Sequence, residues 1–441
     1  MRLSRLPPIG RPVDYCDVNV RQLPALTVVL AAAALLAAFA TLAIFSAVLG
    51  RIVTNAYGAT GDFLDFYAAG YLARTGQSAH LYDPEVIEAT QRFLYPGGFD
   101  EAIGFPFPVF VAWLFAPVSR LPFTAAYLLY MAFTAALLIG VLLVLDRQLH
   151  AVPKPARWLF LACGALALPS LATVVFGQVD LIVLAGLLGG YLLLRADRRA
   201  LAGLSLCLVL VKPHLLLGVA LLLLLRRDWK TMGVLAAAGL PLLILPLLLA
   251  GPATLADYAR ELIADPGAGR ELTVNGDVMP NWRGFIVSAT NSERLIFWVP
   301  GALAIAAGAT ALALSRWRRA AGAAAFDRDY SLAVLLPLLV SPHLHSQSLA
   351  VALLPAALAL RAYLGPNASA GRQARAANAV LLTYTLLFAL PFLATQGLSL
   401  TVFLIAGGYA ALALRWPGLD AAGARNAVAK AESAPARARA A

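Results

Sequence analysis

The sequence predicts an all-α, polytopic integral membrane protein, and three observations carry that prediction. Of its 441 residues, 61% are hydrophobic and only 13% charged, against roughly 25% charged in ordinary soluble domains. Uncharged runs such as LPALTVVLAAAALLAAFATLAIFSAVLG and LLLGVALLLLL recur along the chain, as membrane spans require. Basic and acidic residues also alternate from one inter-span loop to the next. Too little polar surface exists to coat a water-soluble globule, which excludes a soluble enzyme and a disordered scaffold. The basic excess (net charge +11) sits in short loops, not on the clustered face that nucleic acid requires.

Taken in order, the apolar runs predict about twelve crossings, near 23–49, 123–145, 158–175, 179–194, 200–212, 214–225, 231–250, 294–314, 330–341, 348–363, 377–394 and 398–414. The first run exceeds the roughly 7–15 apolar residues of a signal peptide and reads as a retained span. Arg2, Arg5, Arg11 and Arg21 precede it, so residues 1–22 are expected in the cytoplasm. Loops 146–157, 195–199, 226–230, 316–328 and 361–375 are rich in Arg or Lys and belong on the same side. Most of the 23 acidic residues fall in the other loops, which are expected outside. Residues 23–415 are thus expected to form the transmembrane domain, and the Ala-rich stretch 416–441 reads as a disordered cytoplasmic tail. The chain is expected in the inner (plasma) membrane.

Two outer loops are long, 51–122 and 251–293. The first holds FLDFYAAGYLA and FPFPVFVAWLFAP, expected as interfacial or re-entrant helices. Segments 200–212, 214–225 and 330–341 are too short to cross unbroken. Lys212-Pro213 and Ser341-Pro342 interrupt apolar runs, and such breaks are tolerated where backbone lines a protein cavity. Cys16, Cys163 and Cys207 lack metal-ligand spacing, and two of them fall in apolar runs; core packing fits them better than a disulfide.

Polar residues at the outer breaks are the candidate site. Asp62 and Asp65 stand i,i+3 on one helix face. They are either a desolvated general base or two solvated acids at a helix start, with Tyr67 beside them as a substrate contact. Lys212 and His214 flank a proline between apolar runs; they read as a clamp for an anionic group such as phosphate or as a snorkelling interfacial pair. Gln178 and Asp180 form a polar turn, either a substrate contact or a simple hairpin. His343 and His345 form a weak metal signal without a third ligand; proton transfer or hydrogen bonding suits them better. Asn281, Trp282 and Arg283 offer an amide, a ring and a guanidinium to a sugar or phosphate, or an interfacial anchor. No Walker-type, dinucleotide, HExxH or nucleophile-elbow motif is present. No cofactor and no metal are expected.

DFLDFYAAGYLARTGQSAHLYD, FPFPVFVAWLFAPVSRLP, the stretch from FGQVDLIVL to VKPHLLL and SPHLHSQSLAVALLP occur in that order. This arrangement resembles glycosyltransferase family 87, of the GT-C group of integral-membrane enzymes, over about residues 55 to 360. The resemblance implies a GT-C-like fold and a polyprenyl-phosphate-linked sugar donor, usually mannose. It implies an α-linked product made on the extracytoplasmic face, on a glycolipid or glycan acceptor. It also implies an Asp of the first outer loop as catalytic base, where Asp62 matches best and Asp65 stands in reserve. The family's later Ser-Pro motif is followed by a Trp and a His pair; here His343-Leu344-His345 follows Ser341-Pro342, with His345 as candidate partner of the Asp. Lys212, His214 and Arg283 would stabilise the departing phosphate. Two rival classes are a secondary transporter, whose mark would be an internal repeat that the sequence does not display, and a non-catalytic membrane scaffold.

Overall fold

The structure, a computed structural model, describes residues 25–58, 61–95, 97–100, 102–263, 278–290, 322–341, 343–365, 368–414 and 416. The N-terminal segment 1–22, the span near 294–314, much of loop 251–293 and nearly all of the tail lie outside the described residues. Every regular element described is helical. The chain is all-α, as its composition requires.

Helix α1 (Ala25–Val53) is apolar throughout. Leu35, Leu36 and Phe39 stand exposed where a soluble protein would bury them, a lipid-facing surface. The first long loop then builds α2 (Phe63–Arg74), α3 (Pro84–Leu94) and α4 (Val109–Phe115). Asp83 caps α3 by accepting from the Glu85 backbone N–H at 3.1 Å, with Pro84 at the first helical position. Of the segments expected as interfacial or re-entrant, α2 is enclosed by protein. Ten of the twelve residues of α2 are buried, because α4 packs directly on it. Gly70 permits the approach: a Cβ there would lie 2.7 Å from the Phe115 backbone. The face left for lipid belongs to α4, through Trp113 and Leu114.

Helices α5 (Phe123–Gln148), α6 (Lys154–Leu166) and α7 (Leu168–Phe176) follow. Ala167 is extended between α6 and α7, just ahead of Pro169, whose ring and missing N–H prevent a continuous ladder. The Ser170 hydroxyl donates to the Gly164 carbonyl at 2.7 Å, satisfying an acceptor that the break frees. Gly177, left-handed at φ 74°, ends α7, and α8 (Asp180–Arg195) begins after it.

The short segments around Lys212 form one helical hairpin. Helix α9 (Arg199–Leu206) tightens into a 3-10 turn, Cys207–Val211; after Lys212 a second 3-10 turn, Pro213–Leu216, leads into α10 (Leu217–Arg226). A 3.1 Å ion pair between Arg199 and Asp228 ties the feet of the two arms together. Lys212-Pro213 is therefore the tip, carried deep into the protein. Helices α11 (Trp229–Ala250), α12 (Pro252–Ile263) and α13 (Trp282–Thr290) come next, then α14 (Ala323–Val340), which is buried along most of its length. A 3-10 segment, Ser346–Ala352, runs into α15 (Leu353–Tyr363), followed by α16 (Ala370–Ala394) and α17 (Thr401–Leu414).

Among the described residues, five helical stretches are long and apolar enough to cross a membrane alone: α1, α5, the α6–α7 pair, α11 and α16. Among the described residues the other expected crossings are shorter or broken, as the two hairpin arms are. The helix ends that charge patterning assigned to one face do meet. Asp327, at the start of α14, accepts from Tyr191 of α8 at 2.8 Å and from Arg361 of α15 at 2.8 Å. Arg361 also donates to Gln148 at the end of α5. Beside them Asp329 pairs with Arg226 at 2.6 Å and with Arg328 at 3.1 Å. Buried ions demand such pairing. This basic end lies opposite the end where the candidate site assembles.

Candidate active site

Asp62 occupies the N-cap position of α2, yet its side chain makes no capping bond. It turns instead toward Gln178 and Gln347. Gln178 Nε2 donates to Asp62 Oδ2 at 2.7 Å, and Gln347 Nε2 donates to the same oxygen at 3.2 Å. Among the described residues Oδ1 accepts no hydrogen bond. The left-handed turn at Gly177 sets Gln178 in place; a Cβ on Gly177 would stand 2.6 Å from Phe63 Cβ. The backbone of Gln178 is held as well, its carbonyl accepting from the Tyr130 hydroxyl at 3.2 Å. Thr173 secures Gln347 from the other side, donating to its carbonyl at 3.3 Å. Burial raises the Asp62 carboxyl above the usual carboxylate range, while the Gln178 bond and the Lys212 charge pull it back down.

Lys212 does not stand as an open clamp. Its ammonium donates to both Asp180 oxygens, at 3.0 and 2.8 Å, and to Ser348 Oγ at 3.3 Å. An ammonium has three N–H donors, so this arrangement leaves none for a phosphate. Asp180 is fully buried and Lys212 nearly so, with the Phe107 ring 5.7 Å from Nζ. In the free protein Lys212, expected at the phosphate, and Asp180, expected at the substrate, form a mutual ion pair at the hairpin tip. That pair locks the 3-10 segment through Ser348, the neighbour of Gln347.

The imidazoles of His343 and His345 meet edge to face, ring centres 4.7 Å apart. Burial, with the charges of Lys212 and Arg283, lowers His345 to about 4 and holds His343 well below its usual range. Both rings are therefore neutral near pH 7, each with one donor and one acceptor nitrogen. His214 acts electrostatically on His343, and Arg283 on both imidazoles. Arg283 is 7% exposed and lies in the first turn of α13. Among the described residues no group of three His, Cys, Asp or Glu side chains is placed to hold a metal ion.

Other expected contacts are drawn into the framework. The Tyr67 hydroxyl donates to the Leu121 carbonyl at 2.7 Å, and its ring packs on Phe63 and Phe123. Asn281 accepts from the Gly284 N–H at the start of α13 and donates to the Ser341 carbonyl; it aligns Arg283 with the histidine segment. Trp282 packs against Phe285 and Phe403. Asp65 is 2% exposed on the first turn of α2, while the charges acting most strongly on Asp62 are those of Lys212 and Asp180. Gln347 is the residue that sequence reading missed. Its only signal was its place, two residues after His345 at a helix break.

Fold and site define an integral membrane protein with a carboxylate held by two glutamines in a polar cluster at one end of a helical bundle. The chain belongs to glycosyltransferase family 87, whose profile matches residues 105–342, and it is accordingly a membrane glycosyltransferase. No curated protein and no solved structure matches it.

Proposed function

We propose that the protein transfers a sugar, mannose by family habit, from a polyprenyl-phosphate donor to a hydroxyl of a lipid- or glycan-linked acceptor on the extracytoplasmic face. Asp62 is the general base. The observation that carries this reading is the double hold on Oδ2, which leaves Oδ1 for the acceptor proton. As that proton passes to Oδ1, the acceptor oxygen bonds to the anomeric carbon, and the carbon–oxygen bond to phosphate breaks. Polyprenyl phosphate leaves with the electron pair. One displacement inverts the centre, so a β-linked donor gives an α product.

Arg283 supports the developing phosphate charge, with neutral imidazole N–H groups of His343 and His345 as further donors. Gln178 Oε1 is buried and accepts no hydrogen bond among the described residues. Such an orphan acceptor is unfavourable in the free enzyme and suits a substrate hydroxyl beside the base. The basic end of the bundle supports a cytoplasmic orientation for that face, and with it an extracytoplasmic position for Asp62. Incubating membranes with radiolabelled polyprenyl-phosphate mannose tests the reading. Wild-type protein should label an acceptor, and Asp62→Asn at equal abundance should not; undiminished transfer by the Asn variant would remove Asp62 from the mechanism.

A further inference from the structure

Away from the Asp62 cluster the bundle holds an apolar cavity of about 520 Å³, walled by α6, α7, the 3-10 segment, α15, α16 and α17. Small side chains leave the space: Gly164 and Ala167 on one wall, Ala356 and Ala379 on the others. Tyr384 closes one side, its hydroxyl bonded to the Leu166 carbonyl at 3.2 Å. Along α16 the lining runs from Arg375 to Leu387, a rise of about 18 Å at 1.5 Å per residue. That is on the order of half the roughly 30 Å hydrocarbon core, the depth of one leaflet. The slot is open to its surroundings on one side, so a hydrocarbon chain can enter it and pack on its apolar walls.

The cavity is charged at one end only. Arg375 lines it, is exposed, and donates from Nε to the Tyr363 hydroxyl at 3.3 Å. Tyr363 closes α15 just beyond Arg361, so this rim belongs to the basic end of the bundle, away from Asp62. A hydrocarbon slot one leaflet deep with a guanidinium at its rim is complementary to an anionic amphiphile entering from the basic side. The opposite end reaches Leu349 and Ala350, next to Ser348 and Gln347.

We propose that this cavity binds one acyl chain of an anionic glycerophospholipid from the leaflet at the basic end, with its phosphate on Arg375. The chain fills the space behind the 3-10 segment and so supports the residues that hold Asp62 and Lys212. The site is distinct from the sugar-transfer cluster, and its binding is read without turnover.

Native mass spectrometry of the full-length protein in mild detergent, titrated with phosphatidylglycerol or phosphatidylcholine, tests the proposal. Wild type should retain one phosphatidylglycerol against excess phosphatidylcholine. Ala379→Trp, which fills the slot, should abolish retention while thermal melting shows the protein folded. Arg375→Gln should keep chain binding but lose about fivefold in preference for the anionic lipid, the worth of one cation near a membrane surface. Unchanged retention by Ala379→Trp, or unchanged preference in Arg375→Gln, overturns the proposal. So does displacement of phosphatidylglycerol by equimolar polyprenyl phosphate, which would assign the slot to the donor's tail.

Discussion

Gln347 reaches Asp62 across 285 positions of sequence, its Nε2 3.2 Å from Oδ2. A residue beyond α14 thereby fixes which oxygen of a carboxylate before α2 is left to receive a proton. Gln178 makes the same bond from the turn between α7 and α8. Three separate stretches of chain must be folded against one another before the carboxylate is aimed.

This clamp sets a pH dependence. A base works only when deprotonated, so the rate falls as pH drops through the Asp62 pKa. Burial holds that pKa above the ordinary value, so the acid limb of kcat/KM should lie above about pH 4. Gln178→Leu and Gln347→Leu each remove a bond that favours the charged form. Both should move the limb upward, Gln178→Leu by more because its bond is the shorter, measured with a fixed donor and acceptor. A limb that stays put while activity falls would reduce the glutamines to packing.

Lys212→Met should act first on stability. It strands the Asp180 carboxylate in a fully buried position, a loss of about 3–5 kcal/mol when one partner of a buried pair is removed. The double variant Lys212→Met with Asp180→Leu should recover much of the melting temperature without recovering full activity, because Ser348 loses its partner. Thermal melting of both variants in detergent checks the order.

Gly177→Ala should lower both stability and turnover. Its φ of 74° lies in the left-handed region, where an L side chain costs about 1–2 kcal/mol, and the new methyl would press on Phe63. Phe63 directly follows Asp62, so the displacement reaches the base. The expected sign is a fall in kcat larger than the change in acceptor KM.

At the other end, Arg361→Met breaks bonds to Asp327, Tyr191 and Gln148. The Arg361 side chain is 22% exposed, so a loss of about 2 kcal/mol is expected, less than for a fully buried pair. At permissive temperature kcat/KM should remain near wild type, which separates this network from the Asp62 cluster.

Sequence patterns carried the helical class and the five long apolar stretches, because length and hydropathy alone decide whether a segment suits lipid. The family was legible in motif order, and the alternation of charge foretold that Gln148, Arg195, Arg226, Asp327 and Arg361 share one end. The burial of α2 was not legible. FLDFYAAGYLA is apolar enough for lipid or for protein, and only the approach of Phe115 at Gly70 decides between them. Nor was the pairing of Lys212 with Asp180, since a local sequence displays a charge but not the distant charge that neutralises it. Gln347 escaped for a related reason: glutamine is unremarkable until the atom it donates to is known.

Helix α14 joins the two ends of the molecule. Asp327 and Asp329 pin one terminus among arginines, and the Asn281 bond to the Ser341 carbonyl pins the other. At 18 residues and 1.5 Å per residue it spans about 27 Å, close to the thickness of a bilayer's hydrocarbon core. The helix is a gauge. It fixes the height of the reaction above the basic surface, so lipid thickness decides whether Asp62 lies level with the headgroups, sinks among acyl tails or stands proud in water. Reconstitution into bilayers of graded acyl length should give an activity maximum at one thickness; a flat response would show that the bilayer adapts to the protein.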